Sequence, residues 1–522
     1  MRFDQQTSQT YIDIQKLLTV KEGDRLVLNP AYEDCRRILA ETEEALKRLK
    51  EPIRVALAGY MKAGKSTLMN AIIGKKLAYT GTKITTYTPT HFRYNEKASI
   101  ELVFRDGSRR AGLDIGALED WTTVDEKKRH PEMEELDCVI LYYPHEFLKE
   151  IELIDTPGLF SPIGDDSERT IRALGLKNLD EANRIGQEQV SVADAIIYAF
   201  SANFKDNDLN AVRAFTSTPI NAIAVFTKIE QSYWSLSAPD KSPLDTMRPV
   251  IRRHEAELKN DLFRILPVTA ILAEGAASLE NEDWDALRAL ASGDFSVVRK
   301  SLYSPQYFLK VPSGDVSTER RERLLRLLDR YGIYCAVRAI RDGVGRDELA
   351  EHLKNLSGVE ALVEQIRSHF GVRSFAIKTE AAFGRIEREI QRVQYSQNVS
   401  PTSRMACQQI RQRLKEARNS RAFIELNLLR DYYEEKLRFP TESDNEAFLC
   451  LMGERGNHAA VRAGLRESAS VDEILTALEN LYRRWSEISY DYTLARTVRL
   501  AAENVRESVN ELLYHAEMLS SF

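Results

Sequence analysis

Eight residues, Gly59-Tyr60-Met61-Lys62-Ala63-Gly64-Lys65-Ser66, constrain this 522-residue chain more than any other segment. They fit the pattern G-x-x-x-x-G-K-[ST] at every fixed position. A short apolar run, Ile53-Arg54-Val55-Ala56-Leu57-Ala58, precedes them, and a helical run, Thr67-Leu68-Met69-Asn70-Ala71-Ile72-Ile73, follows. Strand, glycine turn and helix N-terminus in that order cradle phosphates: glycines let backbone N–H groups turn inward, and the helix end adds positive potential. Lys65 is expected to reach the β- and γ-phosphates and the Ser66 hydroxyl to bind Mg²⁺. The backbone around Gly59, Met61, Lys62, Ala63, Gly64 and Thr67 is expected to enclose the nucleotide. The competing account, a plain glycine turn with a chance Lys-Ser, leaves the flanking strand and helix unexplained.

Further along, Asp155-Thr156-Pro157-Gly158 directly follows the apolar Ile151-Glu152-Leu153-Ile154. An acidic residue at a strand end can hold Mg²⁺ through water, and the Gly158 N–H can meet the γ-phosphate. Between these two motifs lies Ile84-Thr85-Thr86-Tyr87-Thr88-Pro89-Thr90. One threonine here is expected to bind Mg²⁺ and to position the attacking water; Thr86 is the choice, with Thr85 and Thr88 as rivals. Thr227-Lys228-Ile229-Glu230 follows the strand-like Ala222-Ile223-Ala224-Val225-Phe226. Guanine-specific enzymes use [NT]-K-x-D at this point, the lysine stem lying over the base and the carboxylate accepting from N1–H and the exocyclic amine. Glu230 keeps the carboxylate but is one methylene longer. Val268-Thr269-Ala270, after Ile265-Leu266-Pro267, stands where a last base-side loop would be, so Thr269 and Ala270 join the candidates.

Alternation of strand and helix from residue 53 to about 275 predicts an α/β domain with a mostly parallel sheet. Its strands are expected at 53–58, 99–104, 137–143, 150–154, 194–200 and 221–226. Residues 31–50 read as an amphipathic helix and 283–345 as a mixed segment. From 372 onward nearly everything reads as helix, broken near 398–401, 439–441 and 468–470. Ile474, Leu478, Leu481, Trp485, Ile488, Tyr492, Ala495, Val498, Ala502, Val505, Val509 and Leu512 form one long apolar seam that suits a helical bundle or stalk. A length of 522 residues calls for at least two domains. The five cysteines, Cys35, Cys138, Cys335, Cys407 and Cys450, show no metal-site spacing and fit reduced thiols, so a cytoplasmic setting is expected. A net charge of −6 argues against a nucleic-acid partner.

The five elements occur in the order of a small-GTPase-type G domain. With the helix before it and the helical tail after it, the chain resembles the dynamin superfamily, specifically its bacterial dynamin-like branch. Met69-Asn70-Ala71-Ile72-Ile73-Gly74 resembles that family's N-A-L-L-G helix end, and Ser357-Gly358-Val359-Glu360-Ala361-Leu362 resembles its last G-domain helix. Cys138–Tyr143 followed by Leu148–Gly158 resembles the paired strands that lead into its D-T-P-G. The resemblance implies a P-loop G domain at 51–371, an all-α stalk at 372–522, and N-terminal helices at 1–50 packed with the stalk. It also implies a GTPase that uses GTP/GDP with Mg²⁺, self-associates through its G domains and couples that contact to stalk movement.

Two departures matter. Classical dynamins carry Gln-Ser where this chain has Met61-Lys62, and Leu159, not glutamine, follows Asp155-Thr156-Pro157-Gly158. Water is then held by the Thr86 region, by backbone or by a partner. In cation-assisted relatives a small polar side chain at the position of Lys62 binds Na⁺ or K⁺. The Lys62 ammonium could supply that charge, or stand solvated on the loop rim. The turns at 396–401 and 438–445 contain no apolar wedge, while 373–438 carries 14 Lys/Arg against 8 Asp/Glu. Peripheral contact with an anionic membrane surface, or with a protein partner, is therefore expected rather than insertion. The alternative to a GTPase is a GTP-binding scaffold with negligible hydrolysis.

Overall fold

The computed structural model describes residues 33–60, 62–77, 88–122, 130–156, 193–201, 212–213, 221–258, 261–310, 315–371, 373–395, 401–433, 436–453, 455–456 and 458–520. They divide into two compact units, one of Arg54–Gln365 and one that joins the segment ending at Ile53 with Ile366–Phe522. Helix α1 (Glu33–Arg48) belongs to the second of these.

The first unit is built on a nine-stranded sheet of order β4-β3-β5-β2-β6-β1-β7-β8-β9. In chain order the strands are β1 (Ile53–Ala58), β2 (Thr90–Tyr94), β3 (Ser99–Phe104), β4 (Arg109–Leu113), β5 (Leu136–Tyr143), β6 (Ile151–Asp155), β7 (Ala195–Phe200), β8 (Ala222–Phe226) and β9 (Arg264–Pro267). β1, β7, β8 and β9 pair in parallel, as do β2 and β5. β2 runs antiparallel to β6, and β3 runs antiparallel to both β4 and β5. The parallel strands β7 and β8 are buried at every position, which explains their unbroken apolar runs. Toward the other edge β3 alternates buried and half-exposed residues, and β4 is exposed along almost its whole length.

Three strands lie outside the six expected ones. β2 carries His91 and Arg93 in a sheet interior because both meet Glu152 of β6, at 2.6 Å from His91 Nδ1 and 3.1 Å from Arg93. Arg54 Nε reaches the other oxygen of Glu152 at 3.2 Å. β4 is an exposed edge, and β9 has only four residues.

Helix α2 (Lys65–Ile73) leaves β1 through the glycine loop. After β8 come α3 (Ile229–Tyr233) and α4 (Pro243–Leu258), and Met247, Ile251 and Leu258 of α4 share a core with Ala224 and Phe226 of β8. α5 (Ala270–Ala276) follows β9. The segment 283–345, expected to be mixed, is helical over most of its described residues: α6 (Asn281–Ser292), α7 (Phe295–Ser301), α8 (Pro305–Lys310) and α9 (Thr318–Arg341) are followed by α10 (Arg346–Leu356), with α11 (Val359–Gln365) closing the unit. These helices enclose Leu287, Leu290, Phe308, Leu324, Leu328 and Ile333. Asp283, fully buried, ties α6 to α9 through two hydrogen bonds from Arg323 of 2.8 and 2.9 Å, and it also accepts from the Glu280 N–H that opens α6.

In the second unit α1 lays Cys35 and Ile38 against Phe383, Ile386 and Ile390 of α12 (Ser374–Tyr395). The Lys378 ammonium donates to the carbonyls of Leu49 and Glu51, at 3.0 and 2.7 Å, satisfying acceptors left over at the end of α1. α13 (Pro401–Ala417), α14 (Arg421–Tyr433), α15 (Glu442–Leu451), α16 (Val471–Tyr490) and α17 (Arg496–Ser520) follow, with a short helical turn, Ala459–Arg462, between α15 and α16. The apolar seam expected to run unbroken from Ile474 to Leu512 is two helices. α16 and α17 turn at Asp491, whose carboxylate accepts from both the N–H and the hydroxyl of Thr493. Leu478, Trp485 and Ile488 face the same core as Ala502, Val505 and Val509, so the spacing persists across a turn that carries neither glycine nor proline, while Tyr492 at that turn is 80% exposed.

Asp283→Ala is expected to cost about 2 kcal/mol, because it removes a helix cap and leaves the partly exposed Arg323 without its carboxylate. Chemical denaturation of the two proteins checks this, and an unchanged midpoint would contradict it.

Candidate nucleotide-binding site

The parallel pairing of β1, β7, β8 and β9 brings the loops at their carboxyl ends to one edge of the sheet, where ligands of such folds bind. Gly59, just after β1, has φ +142°, and a Cβ there would sit 2.2 Å from the carbonyl oxygen of Ala199 in β7. Only glycine allows that approach. The loop then passes through Lys62 in a left-handed conformation, φ 61°, and Gly64, φ 88°, before α2 begins at Lys65 without a side-chain cap. The first N–H groups of α2 are thus left facing out of the helix start, as an anion site needs.

Lys65 is buried, and its ammonium donates to the carbonyls of Gly59 and Tyr60 at 3.2 and 3.4 Å. Desolvation brings its pKa down to about 8, against the opposing pull of Asp155. The Ser66 hydroxyl donates to Asp155 Oδ2 at 3.1 Å, across 89 residues of sequence. Asp155 is 1% exposed; burial pushes its pKa up to about 6, while Lys65 and Ser66 pull it down. Its other oxygen, Oδ1, has no hydrogen-bond partner among the described residues. A buried carboxylate oxygen normally has one, so a hydroxyl and an orphaned carboxylate oxygen side by side fit a hydrated Mg²⁺. The next residue, Thr156, anchors the strand end by donating to the Leu57 carbonyl at 2.6 Å.

The base-side loop is fastened to the phosphate loop. The Thr227 hydroxyl lies 2.6 Å from the carbonyl of Ala63 and 3.1 Å from that of Phe200. Lys228 turns through a left-handed φ of 56° to start α3, and its stem runs past Gly64, where a Cβ would lie 3.9 Å from Lys228 Cε. Burial lowers the pKa of Lys228, Glu230 raises it and Lys62 lowers it, so exposed Lys62 lies within reach of the Lys228 charge. Glu230 is 3% exposed and its Oε2 has no partner among the described residues. Burial pushes its pKa up to about 7. Thr269, fully buried, is held to the Ser357 carbonyl by both its N–H (2.8 Å) and its hydroxyl (3.1 Å), and Ala270 opens α5 behind it.

Met61, Thr85, Thr86 and Gly158 lie outside the described residues. Thr88 is described: it is 2% exposed, and its hydroxyl has no partner among the described residues. Thr67 lies in the first turn of α2. Sequence reasoning did not single out Thr156, Ser357 or the pairing of Asn70 with Glu274 (2.7 Å) that ties α2 to α5. Thr156, Ser357 and Asn70 lie inside motifs quoted from the sequence, but the contact each makes depends on a partner remote in sequence.

The dynamin family model matches residues 55–229. Over 496 residues the chain is 27% identical to the isoniazid-induced protein IniC of Mycobacterium tuberculosis, spanning 92% of this chain and 95% of that one. It is 27% identical over 215 residues to dynamin-like protein 2 of Campylobacter jejuni, spanning 37% and 34% of the two chains. It is 31% identical over 143 residues to the bacterial dynamin-like protein of Nostoc punctiforme, spanning 26% and 20%. Among solved structures, an oligomerised bacterial dynamin pair, described as sensing and tethering membranes at long range, aligns with 100% of this chain and 76% of its own at 12% identity and a TM-score of 0.31. Sheet, loops and sequence matches together define a dynamin-type GTPase domain. The dynamin-family match lies in residues 55–229, and the chain is similar to bacterial dynamin-like proteins. Among the described residues, no helix is long and apolar enough to cross a membrane.

Ionised Asp155 is the form that a metal needs, and its pKa sits near 6. The magnesium-dependent part of GDP affinity is therefore expected to fall about tenfold per pH unit below that value. In Asp155→Asn it is expected to be absent at every pH. Calorimetric titrations with and without Mg²⁺ measure both, and a pH-independent magnesium effect in the wild type would contradict the assignment.

Proposed function

We propose that the chain binds GTP with Mg²⁺ and hydrolyses it at a rate raised by contact between the G domains of two copies, coupling that contact to movement of the helical unit. The observation that carries the reading is the part-buried Ser66–Asp155 contact, with its one unpartnered carboxylate oxygen among the described residues, at the start of α2. We assign residues 51–371 to the GTPase domain, 372–522 to the stalk, and 1–50 to helices that accompany it.

In this reading the N–H groups from Gly64 to Thr67 and the Lys65 ammonium receive the β- and γ-phosphates. Lys65 exchanges its contacts with the Gly59 and Tyr60 carbonyls for phosphate oxygens, which restores full charge to a desolvated ammonium. Ser66 and Asp155 hold Mg²⁺, which when bound neutralises charge that develops on the phosphates. Thr86 positions the water that attacks the γ-phosphorus, with the N–H of Gly158 at the γ-phosphate. The bond to the β,γ-bridging oxygen breaks, and GDP and phosphate leave. The Lys228 stem covers the base, Glu230 accepts from guanine N1–H and the exocyclic amine, and Thr269 and Ala270 close its other side. Lys62, exposed and beside the Lys228 charge, fits a solvated rim lysine better than a built-in substitute for a monovalent cation. The helical unit offers its basic faces to an anionic membrane surface or to a protein partner.

A second reading, a GTP-binding scaffold with negligible turnover, is favoured by Leu159 in place of a water-holding glutamine. Turnover per molecule measured against protein concentration separates the two. The first reading predicts a cooperative rise, and no turnover at any concentration would remove it.

A further inference from the structure

Helix α9 breaks beside the base-side loops. Asp329 has φ 55° and ψ −179°, a backbone region that is almost exclusively glycine's, yet helix continues on both sides of it. The residues just before it press on α5, the helix that starts at Ala270. A Cβ on Gly275 would lie 2.0 Å from the Leu327 carbonyl oxygen, and one on Gly332 would lie 2.8 Å from Leu272. From the other side Gln231, the neighbour of Glu230, brings its Nε2 to 3.5 Å from Asp329 Oδ2. The Arg330 backbone N–H donates to Asp329 Oδ1, and the Arg330 guanidinium in turn reaches the Tyr303 carbonyl at 2.9 Å. Asp329 therefore stands against Gln231, one residue from Glu230, with the Arg330 guanidinium 3.9 Å from its Oδ1, and its charge adds to burial in holding the Glu230 pKa up. Glu230 is 3% exposed and keeps one carboxylate oxygen unpartnered among the described residues, an acceptor that awaits a donor.

We propose that Asp329 is a positioning residue for base recognition: its fixed negative charge behind Glu230 turns that carboxylate toward the guanine exocyclic amine and raises selectivity for a 2-amino purine. The inference rests on the guanine reading of the site given above. Glu230 has one more rotatable bond than the aspartate usual at its position, so its carboxylate has additional rotamers to occupy. The like charge of the partly exposed Asp329 disfavours those that turn toward it. The break in α9 is the local cost of setting that charge in place.

The test is calorimetric affinity of the full chain, with Mg²⁺, for GDP, for inosine diphosphate, which lacks only the exocyclic amine, and for ADP. Wild type, Asp329→Asn and Asp329→Gly are compared. Wild type is expected to prefer GDP over both competitors. Both variants are expected to lower the GDP to inosine diphosphate ratio by about fivefold or more while changing inosine diphosphate affinity much less. Asp329→Gly also separates charge from fold, because glycine adopts the broken conformation freely and should melt no lower than wild type. An unchanged ratio in both variants would mean that Asp329 only shapes α9, and would overturn the proposal. A wild type that does not prefer GDP over ADP would instead remove the guanine reading beneath it.

Discussion

The approach of Gly59 to the carbonyl of Ala199 sets the geometry on which the site depends. A side chain at residue 59 would have to occupy space 2.2 Å from that oxygen. Because nothing does, β1 lies tight on β7 and the loop can turn immediately at the sheet edge. Gly64, in a left-handed conformation, then directs the chain into α2, and Lys65 and Ser66 fall at a helix start with uncapped N–H groups. The link from Thr227 to Ala63, at 2.6 Å, carries this arrangement across to the base side. Phosphate and base loops are therefore one hydrogen-bonded body, although 164 residues separate them in sequence.

Burial dominates the electrostatics of that body. Lys65, Asp155 and Glu230 are each shifted toward their neutral forms, with desolvation the largest cause in every case. A site held in this way is unfavourable to its own charges. Ligands that bring the complementary groups relieve the penalty: anionic phosphate for Lys65, a cation for Asp155, N–H donors for Glu230. Under the proposed function, a magnesium nucleotide would relieve the desolvation penalty these groups carry.

Much of this was legible in the sequence because the motifs are local. Gly59–Ser66, Asp155 and Thr227–Glu230 sit at strand ends, and long apolar runs mark the buried strands β1, β7 and β8. Other features were hidden because their causes are not local. β2 carries His91 and Arg93, which read as polar until Glu152 from β6 accounts for them. β4 has no apolar alternation, since it is an exposed edge. The turn between α16 and α17 was invisible because both helices bury the same kind of face, so the three- and four-residue spacing never lapses. The break at Asp329 has no proline or glycine at its own position to announce it, and it falls where α9 packs closely on α5.

In the proposed function, one hydrogen-bonded site reads both a magnesium-bound phosphate and a guanine base. Competitive binding of GTP and ATP to wild type and Glu230→Ala, with Mg²⁺ present, addresses it most directly. The account predicts a strong preference for GTP in the wild type that collapses in Glu230→Ala, with ATP affinity little changed. Equal affinity for the two nucleotides in the wild type, or a preference that survives the substitution, would contradict it.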